Sequence, residues 1–273
     1  MLQTIKNEIT FIGDALENYF IKVIQHGINM TNIEYCDLTW NFITGCAKIS
    51  AGCAFCWADK LTKDIPQSFP NGFDPARYPS RLNAPYFIKH PMIIFPVSMG
   101  DIFYEGHNPL DVLNIFRVMN KTNHFFIPLT KRIENMFQYL PFIELTQNIC
   151  MGVTIESRKY LDRLAMLKDI PAQFKWISYE PAVGPLGRVD FTGVDWLVFG
   201  GESGERFRPY EDEWVREVRD QCIEQGIPFF FKQKSGINPK PFGRDFDNVI
   251  WSQFPIDLQL FKTTGEIRKT NLM

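Results

Sequence analysis

Between residues 3 and 26 the apolar side chains Ile5, Ile9, Ile12, Leu16, Phe20 and Ile24 recur at spacings of three and four, which puts them on one face of a helix. Gly27 and Asn29 interrupt that pattern, and Met30-Thr31-Asn32-Ile33-Glu34 reads as a fresh start. The expectation is an N-terminal helical extension over 1–29, or an upstream start codon, ahead of one domain over 30–273. From Met92 onward short β-branched or aromatic runs alternate with polar segments of helical length. The runs predict strands at 93–97, 125–129, 149–155, 175–179, 196–199 and 228–231, with helices at 109–120, 132–140, 157–168 and 210–225. In the last helix Trp214, Val215, Val218 and Cys222 share a stripe that ends at Gly226. Alternating strands and helices build a parallel sheet with right-handed crossovers. One more strand at 38–43 brings the number to about seven, enough for a whole or partial barrel of the (β/α) type.

Each of these strands ends in polar or ionisable residues: Ser98 and Asp101, Thr130 and Lys131, Glu156, Glu180, Glu202 and Ser203, then Lys232 and Gln233. Any one of them is explained by a strand reaching the surface. Their succession fits the C-terminal rim of a parallel barrel, where chemistry is built.

The segment after the first predicted strand carries Cys46, Cys53 and Cys56, three of the six cysteines, in the spacing C-x6-C-x2-C. A structural zinc usually takes four protein ligands, whereas a [4Fe–4S] cluster held by three thiolates keeps one iron open. No apolar signal segment opens the chain, so a reducing cytoplasm is expected, where disulfides are rare. A zinc knuckle that recruits Cys36 or a distant histidine stays open as an alternative. Cys150 and Cys222 read as buried thiols.

Composition narrows the class further. Hydrophobic residues make up 45% and charged residues 22%, and no apolar run approaches bilayer length, so no membrane role is expected. A net charge of −2 argues against a broad nucleic-acid-binding surface, although basic stretches at 121–132 and 232–244 could grip a phosphate backbone. The 25 phenylalanines are expected to be core. Gly200-Gly201-Glu202-Ser203-Gly204 is no nucleophile elbow, because Glu205 stands where that motif needs glycine. No phosphate-binding glycine loop is present, and His26, His90, His107 and His124 lack metal-site spacing. A zinc deaminase is disfavoured too, since no H-x-E occurs and Gly52 precedes Cys53.

The blocks Glu34 to Asn41, Thr44-Gly45-Cys46 and Gly52-Cys53-Ala54-Phe55-Cys56-Trp57 resemble the phage Gp37/Gp68 family, a radical-SAM-like group of three-Cys-motif proteins. The likeness continues through Ser98-Met99-Gly100-Asp101, Leu129 to Arg132, Gly152 to Glu156, Glu180-Pro181, Val198 to Ser203, Arg208-Pro209 and Phe229 to Gln233. Trp57 departs from the tyrosine usual there. The resemblance implies an incomplete parallel (β/α) TIM-like barrel of the radical SAM type that binds a [4Fe–4S] cluster and S-adenosylmethionine. On that reading Cys46, Cys53 and Cys56 are the cluster ligands and Ser98, Asp101, Thr130, Lys131 and Glu156 contact the cofactor. Glu180, Glu202 and Lys232 then face a polar substrate, with a nucleotide or nucleic acid among the candidates, and a flavodoxin or ferredoxin supplies electrons. Two rival readings are a non-catalytic barrel stapled by zinc or a cluster that binds a partner, and a metal-independent nucleic-acid hydrolase using the rim carboxylates.

Overall fold

A computed structural model describes residues 28–271. The strands are β1 (Ile28–Met30), β2 (Leu38–Trp40), β3 (Ile43–Thr44), β4 (Ala76–Arg77), β5 (Ile93–Pro96), β6 (Phe125–Phe126), β7 (Leu129–Thr130), β8 (Cys150–Thr154), β9 (Phe174–Tyr179), β10 (Trp196–Gly200) and β11 (Phe229–Gln233). A further short hairpin pairs Asp245–Phe246 with Val249–Ile250. One sheet has the order β1-β2-β5-β6 and a five-stranded sheet the order β11-β10-β9-β8-β7. Every pairing within these two sheets is parallel except that of β1 with β2. A parallel bridge between Phe126 and Ile149 joins the two sheets. Among the described residues no ladder returns from β11 to β2, so the fold is mixed α/β with parallel strands and no closed ring of pairing.

Four predicted elements are divided or shortened, among them the helix expected over 157–168, which is a 3-10 turn at Arg158–Tyr160 followed by a helix at Asp162–Asp169. The run at 125–129 becomes β6 and β7 because Pro128 has no N–H for the ladder. Its carbonyl is still used, accepting from the Gly152 N–H at 2.9 Å and the Trp176 indole at 3.2 Å. The run at 38–43 ends at Trp40, and Ile43–Thr44 leaves to pair antiparallel with Ala76–Arg77. The helix expected over 132–140 is a single turn at Ile133–Met136, followed by turns that lead into Pro141, whose ring disfavours helix at the residue before it. By contrast, the helix Pro109–Asn120 has the predicted limits, since the Asn108 side chain caps the Leu110 N–H and Pro109 occupies the first position. The helical pattern at 3–26 lies outside the described residues. Strand β1 straddles the expected boundary after residue 29, with Ile28 fully buried opposite Trp40.

Alternation along the strands sorts side chains into two cores. Ile94, Phe126, Met151, Val153, Ile177, Leu197, Phe229 and Phe231 belong to the larger core with the helical residues Val112, Ile115, Phe116, Leu164, Val215 and Val218. The intervening positions build a second, aromatic core from Phe95, Phe125, Phe174, Trp176, Trp196 and Phe230 with Tyr35. Trp176 and Trp196 lie 5.3 Å apart, and the edge of Tyr35 meets Trp176, Trp196 and Phe230 at 5.8, 5.7 and 5.9 Å between ring centres. Ile256 and Phe261 from the C-terminal segment pack on the same cluster. This aromatic layer is a solid floor. Two residues further along β9 and β11, the same face carries Ser178 and Lys232, which line an open cavity. No helix among the described residues is long and apolar enough to cross a membrane.

The floor needs Gly152, because a Cβ there would fall 2.1 Å from the indole nitrogen of Trp176. Gly152→Ala is expected to destabilise the fold by about 1–3 kcal/mol through overpacking, measured as a lowered midpoint in denaturant titration.

Candidate active site

A cavity of about 890 Å³ opens at the C-terminal ends of the parallel strands, a volume suited to a small molecule. Strand β2 delivers the chain to it. After Trp40 the backbone reaches Gly45, whose N–H donates to the Met99 carbonyl at 2.8 Å and which forms a parallel bridge with Gly100. Gly45 has φ of +84°, and a Cβ there would lie 2.5 Å from the Asp74 carbonyl oxygen, so only glycine fits the turn that launches Cys46. A 3-10 turn at Ala51–Cys53 follows, and Cys56 sits at the N-cap of the helix Trp57–Asp64. All three thiols line the cavity.

Their environments differ. Burial, reinforced by the charge of Asp101, pushes the Cys46 thiol up to about 12. Burial also raises Cys56, against the pull of the backbone amides of Ala58 and Asp59 at the helix start. At Cys53 burial again acts upward, but the charge of Lys131 and the Ser50 hydroxyl, 3.3 Å away, outweigh it and lower the thiol. Cys36 does not line the cavity; its sulfur lies 3.9 Å from the Ile33 carbonyl and packs against the aromatic floor. Cys150 and Cys222 are buried, as expected. Among the described residues no three cysteine, histidine or carboxylate side chains are grouped to hold one metal ion.

Of the expected site residues, Ser98, Asp101, Thr130, Lys131, Glu180, Glu202 and Lys232 line the same cavity as the cysteines, and Glu156 does not. Glu156 is 0% exposed. Its carboxylate accepts from Ser50 and from Lys131 at 2.5 Å and from Arg163 at 3.2 Å, and Gly52 presses so close that a Cβ there would meet its Cγ at 2.6 Å. Glu156 therefore anchors the cysteine loop from behind. Asp101 is similarly committed, accepting from the Thr130 hydroxyl at 2.7 Å, the Phe103 N–H at 3.1 Å and the Lys131 N–H at 2.9 Å. Ser98 exchanges hydrogen bonds with the Asn41 side chain, whose oxygen also accepts from the Met99 N–H at 3.0 Å. The chain turns into this loop at Val97, which takes φ of +56°, an unusual value for a β-branched residue.

On the opposite wall Lys232 pairs with Glu180, and the lysine ammonium lies 5.7 Å from the centre of the Tyr35 ring. Glu202 is held in a fork by Arg208, with contacts of 2.8 Å to one oxygen and 2.5 Å to the other. Arg208 also donates to the Ala51 carbonyl at 3.0 Å and lies over Phe55, which links the end of β10 to the cysteine loop. Arg208, Arg163, Asn41 and Tyr35 were not among the expected site residues. The Arg208 and Glu202 pair is only six residues apart, but no helical or strand periodicity marks it.

The matched family model is described as a protein of unknown function (DUF5131) and covers residues 30–255, so the chain belongs to that family. No curated protein matches the sequence. Among solved structures, a spore photoproduct lyase complexed with dinucleoside spore photoproduct is 10% identical with a TM-score of 0.48, covering 73% of this chain and 64% of the lyase. A mutant of that lyase, also with the dinucleoside, is 11% identical with a TM-score of 0.47, covering 72% of this chain and 63% of its own. The chain thus spans less than two thirds of the lyase length.

Removing the Glu156 carboxylate leaves Lys131 and Arg163 without their shared partner. Glu156→Ala is expected to cost about 3–5 kcal/mol. In hydrogen exchange the amides of 46–57 should become less protected before those of β8 to β10, whereas unchanged protection of the loop would show that something else holds it.

Proposed function

We propose that this chain is a radical-SAM-type enzyme in which Cys46, Cys53 and Cys56 hold a [4Fe–4S] cluster at the mouth of an incomplete parallel (β/α) barrel. The observation that carries this reading is that three thiols of one loop face, together with the polar ends of successive strands, a single cavity of small-molecule size. The donor set fits a cluster, because each thiolate binds its own iron and the sulfurs need not converge on a single ion. When bound, the cluster and S-adenosylmethionine would supply one-electron cleavage of the cofactor and hydrogen abstraction from the substrate. The resemblance to the phage Gp37/Gp68 group, an electron donor such as a flavodoxin or ferredoxin, and a cytoplasmic setting belong to the same proposal.

The chain's own residues divide into two kinds. Asp101, Thr130 and Glu156, expected from the sequence to contact the cofactor, act by fixing the loops around it. Ser98 and Lys131 remain candidates for direct contact. Lys232 and Glu180 form the substrate-facing pair, and Glu202 works through Arg208. Above the aromatic floor, Thr154 and Ser178 offer uncharged hydroxyls to the cavity. A polar substrate, such as a nucleotide, could exchange hydrogen bonds with these groups, whereas an apolar one would cover the Thr154 and Ser178 hydroxyls without offering them partners, at a cost of roughly 1–3 kcal/mol each.

Anaerobic reconstitution is expected to give about four iron and four sulfide per chain with a brown chromophore. Single alanine replacements of Cys46, Cys53 or Cys56 should reduce iron to background, while Cys150→Ala and Cys222→Ala retain it. Stoichiometric zinc without iron would instead favour the stapled, non-catalytic barrel.

The reduced, reconstituted protein is expected to convert S-adenosylmethionine to 5′-deoxyadenosine and methionine, followed by chromatography. Glu180→Gln should leave the iron content and this uncoupled cleavage within about twofold of the native chain, because its carboxylate faces the substrate side. Loss of cofactor binding in that variant would move Glu180 to the cofactor site.

A further inference from the structure

The carboxylates and cations on the cavity wall are almost all matched. Asp101 is held by backbone and Thr130 with Arg132 at 3.7 Å, Glu180 by Lys232, and Glu202 by Arg208. Among the lining cations, Lys131 has Glu156, Arg132 has Glu105 at 2.9 Å, and Lys240 has Glu34 at 4.0 Å. Arg81 is the exception. This half-buried guanidinium lines the cavity and has no carboxylate within ion-pair distance among the described residues.

Arg81 is nevertheless held in place. It ends the 3-10 turn Pro79–Arg81, and its carbonyl accepts from the buried Trp40 indole at 2.7 Å. Its guanidinium lies 3.8 Å from the centre of the Tyr78 ring, and one terminal nitrogen donates to the Asn41 carbonyl at 3.2 Å. Stacking and that single bond engage one face and one donor of a planar group with five N–H donors. Burial disfavours its charged form, only partly offset by Tyr78, and no carboxylate among the described residues pairs with it. Asn41 also links it to Ser98 and so to the loop beside the cysteines.

We propose that Arg81 is the oxyanion-binding residue of this cavity, taking a carboxylate or phosphate through its remaining donors. A planar, preorganised guanidinium on a neutralised wall suits such bidentate recognition. Two ligands could bring the oxyanion: S-adenosylmethionine by its carboxylate, or a phosphorylated substrate. The first source rests on the function proposed above; the second does not.

The test is calorimetric titration of the full chain with inorganic phosphate, S-adenosylmethionine and decarboxylated S-adenosylmethionine. Arg81→Gln is compared with the native protein, and melting temperature is read alongside. The expected result is that Arg81→Gln weakens at least one of the two anions by about tenfold or more with little change in melting. Weakening of S-adenosylmethionine but not its decarboxylated form assigns the cofactor carboxylate; weakening of phosphate alone assigns the substrate. If the glutamine variant does not fold, the Nε–H resonance of Arg81 in the native chain is followed during the same titrations and should shift saturably. Unaltered anion affinity in a folded Arg81→Gln, no anion binding by the native chain, or an unmoved Arg81 resonance would overturn the proposal. Iron content is measured separately, so failure of the cluster assignment is distinguishable from failure of this one.

Discussion

The Glu156 carboxylate sits beyond the end of β8 with no solvent exposure, and accepts from Ser50 of the cysteine loop, Lys131 after β7 and Arg163 of the helix Asp162–Asp169. An isolated buried carboxylate would be very costly, so its stability requires these partners to stay where they are. The constraint runs in both directions. Ser50 can reach Glu156 only if the loop lies flat on it, and Gly52 makes that approach feasible by presenting no side chain. The positions of Cys53 and Cys56 therefore follow from a charge that never faces the cavity.

The cavity combines a rigid floor with a wall of paired charges. Tyr35 meets Trp176, Trp196 and Phe230 edge to face and the two indoles pack against each other at a tilt, which leaves little freedom for the strands to shift. Above them the ionic groups are arranged in pairs, Lys232 with Glu180 and Arg208 with Glu202, which fixes each side chain through its partner. Among the described residues, Arg81 is the lining cation that this pairing leaves without a carboxylate.

How much of this was legible in the sequence depended on whether the determining contact was local. The helix Pro109–Asn120 was readable to the residue because Asn108 and Pro109 encode its start. The strand positions were readable from their apolar runs, and so was the gathering of their polar ends around one mouth. Pro128 carried a signal for the break between β6 and β7, but the apolar run around it masked that signal. The role of Glu156 was not readable at all. Its position after a strand fixed where its backbone goes, while its partners lie 7, 25 and 106 residues away. Arg81 was hidden for a different reason: that no carboxylate among the described residues pairs with it depends on every other charge on the wall.

Side chains also supply the continuity that strand pairing does not. The loops after β2 and β5 are fused by the Gly45 and Gly100 bridge and by Asn41, and Asp101 ties the second of these to Thr130 at the end of β7 and to Lys131 just after it. Glu156 extends the chain of contacts past β8. On the far side no ladder among the described residues joins β11 to β2, yet Arg208, anchored on Glu202 after β10, reaches the Ala51 carbonyl of the cysteine loop. Lys240, beyond β11, likewise donates to the Asn32 carbonyl at 3.1 Å. These contacts join the two sides at the level of the mouth, where sequence-distant loops must hold one geometry.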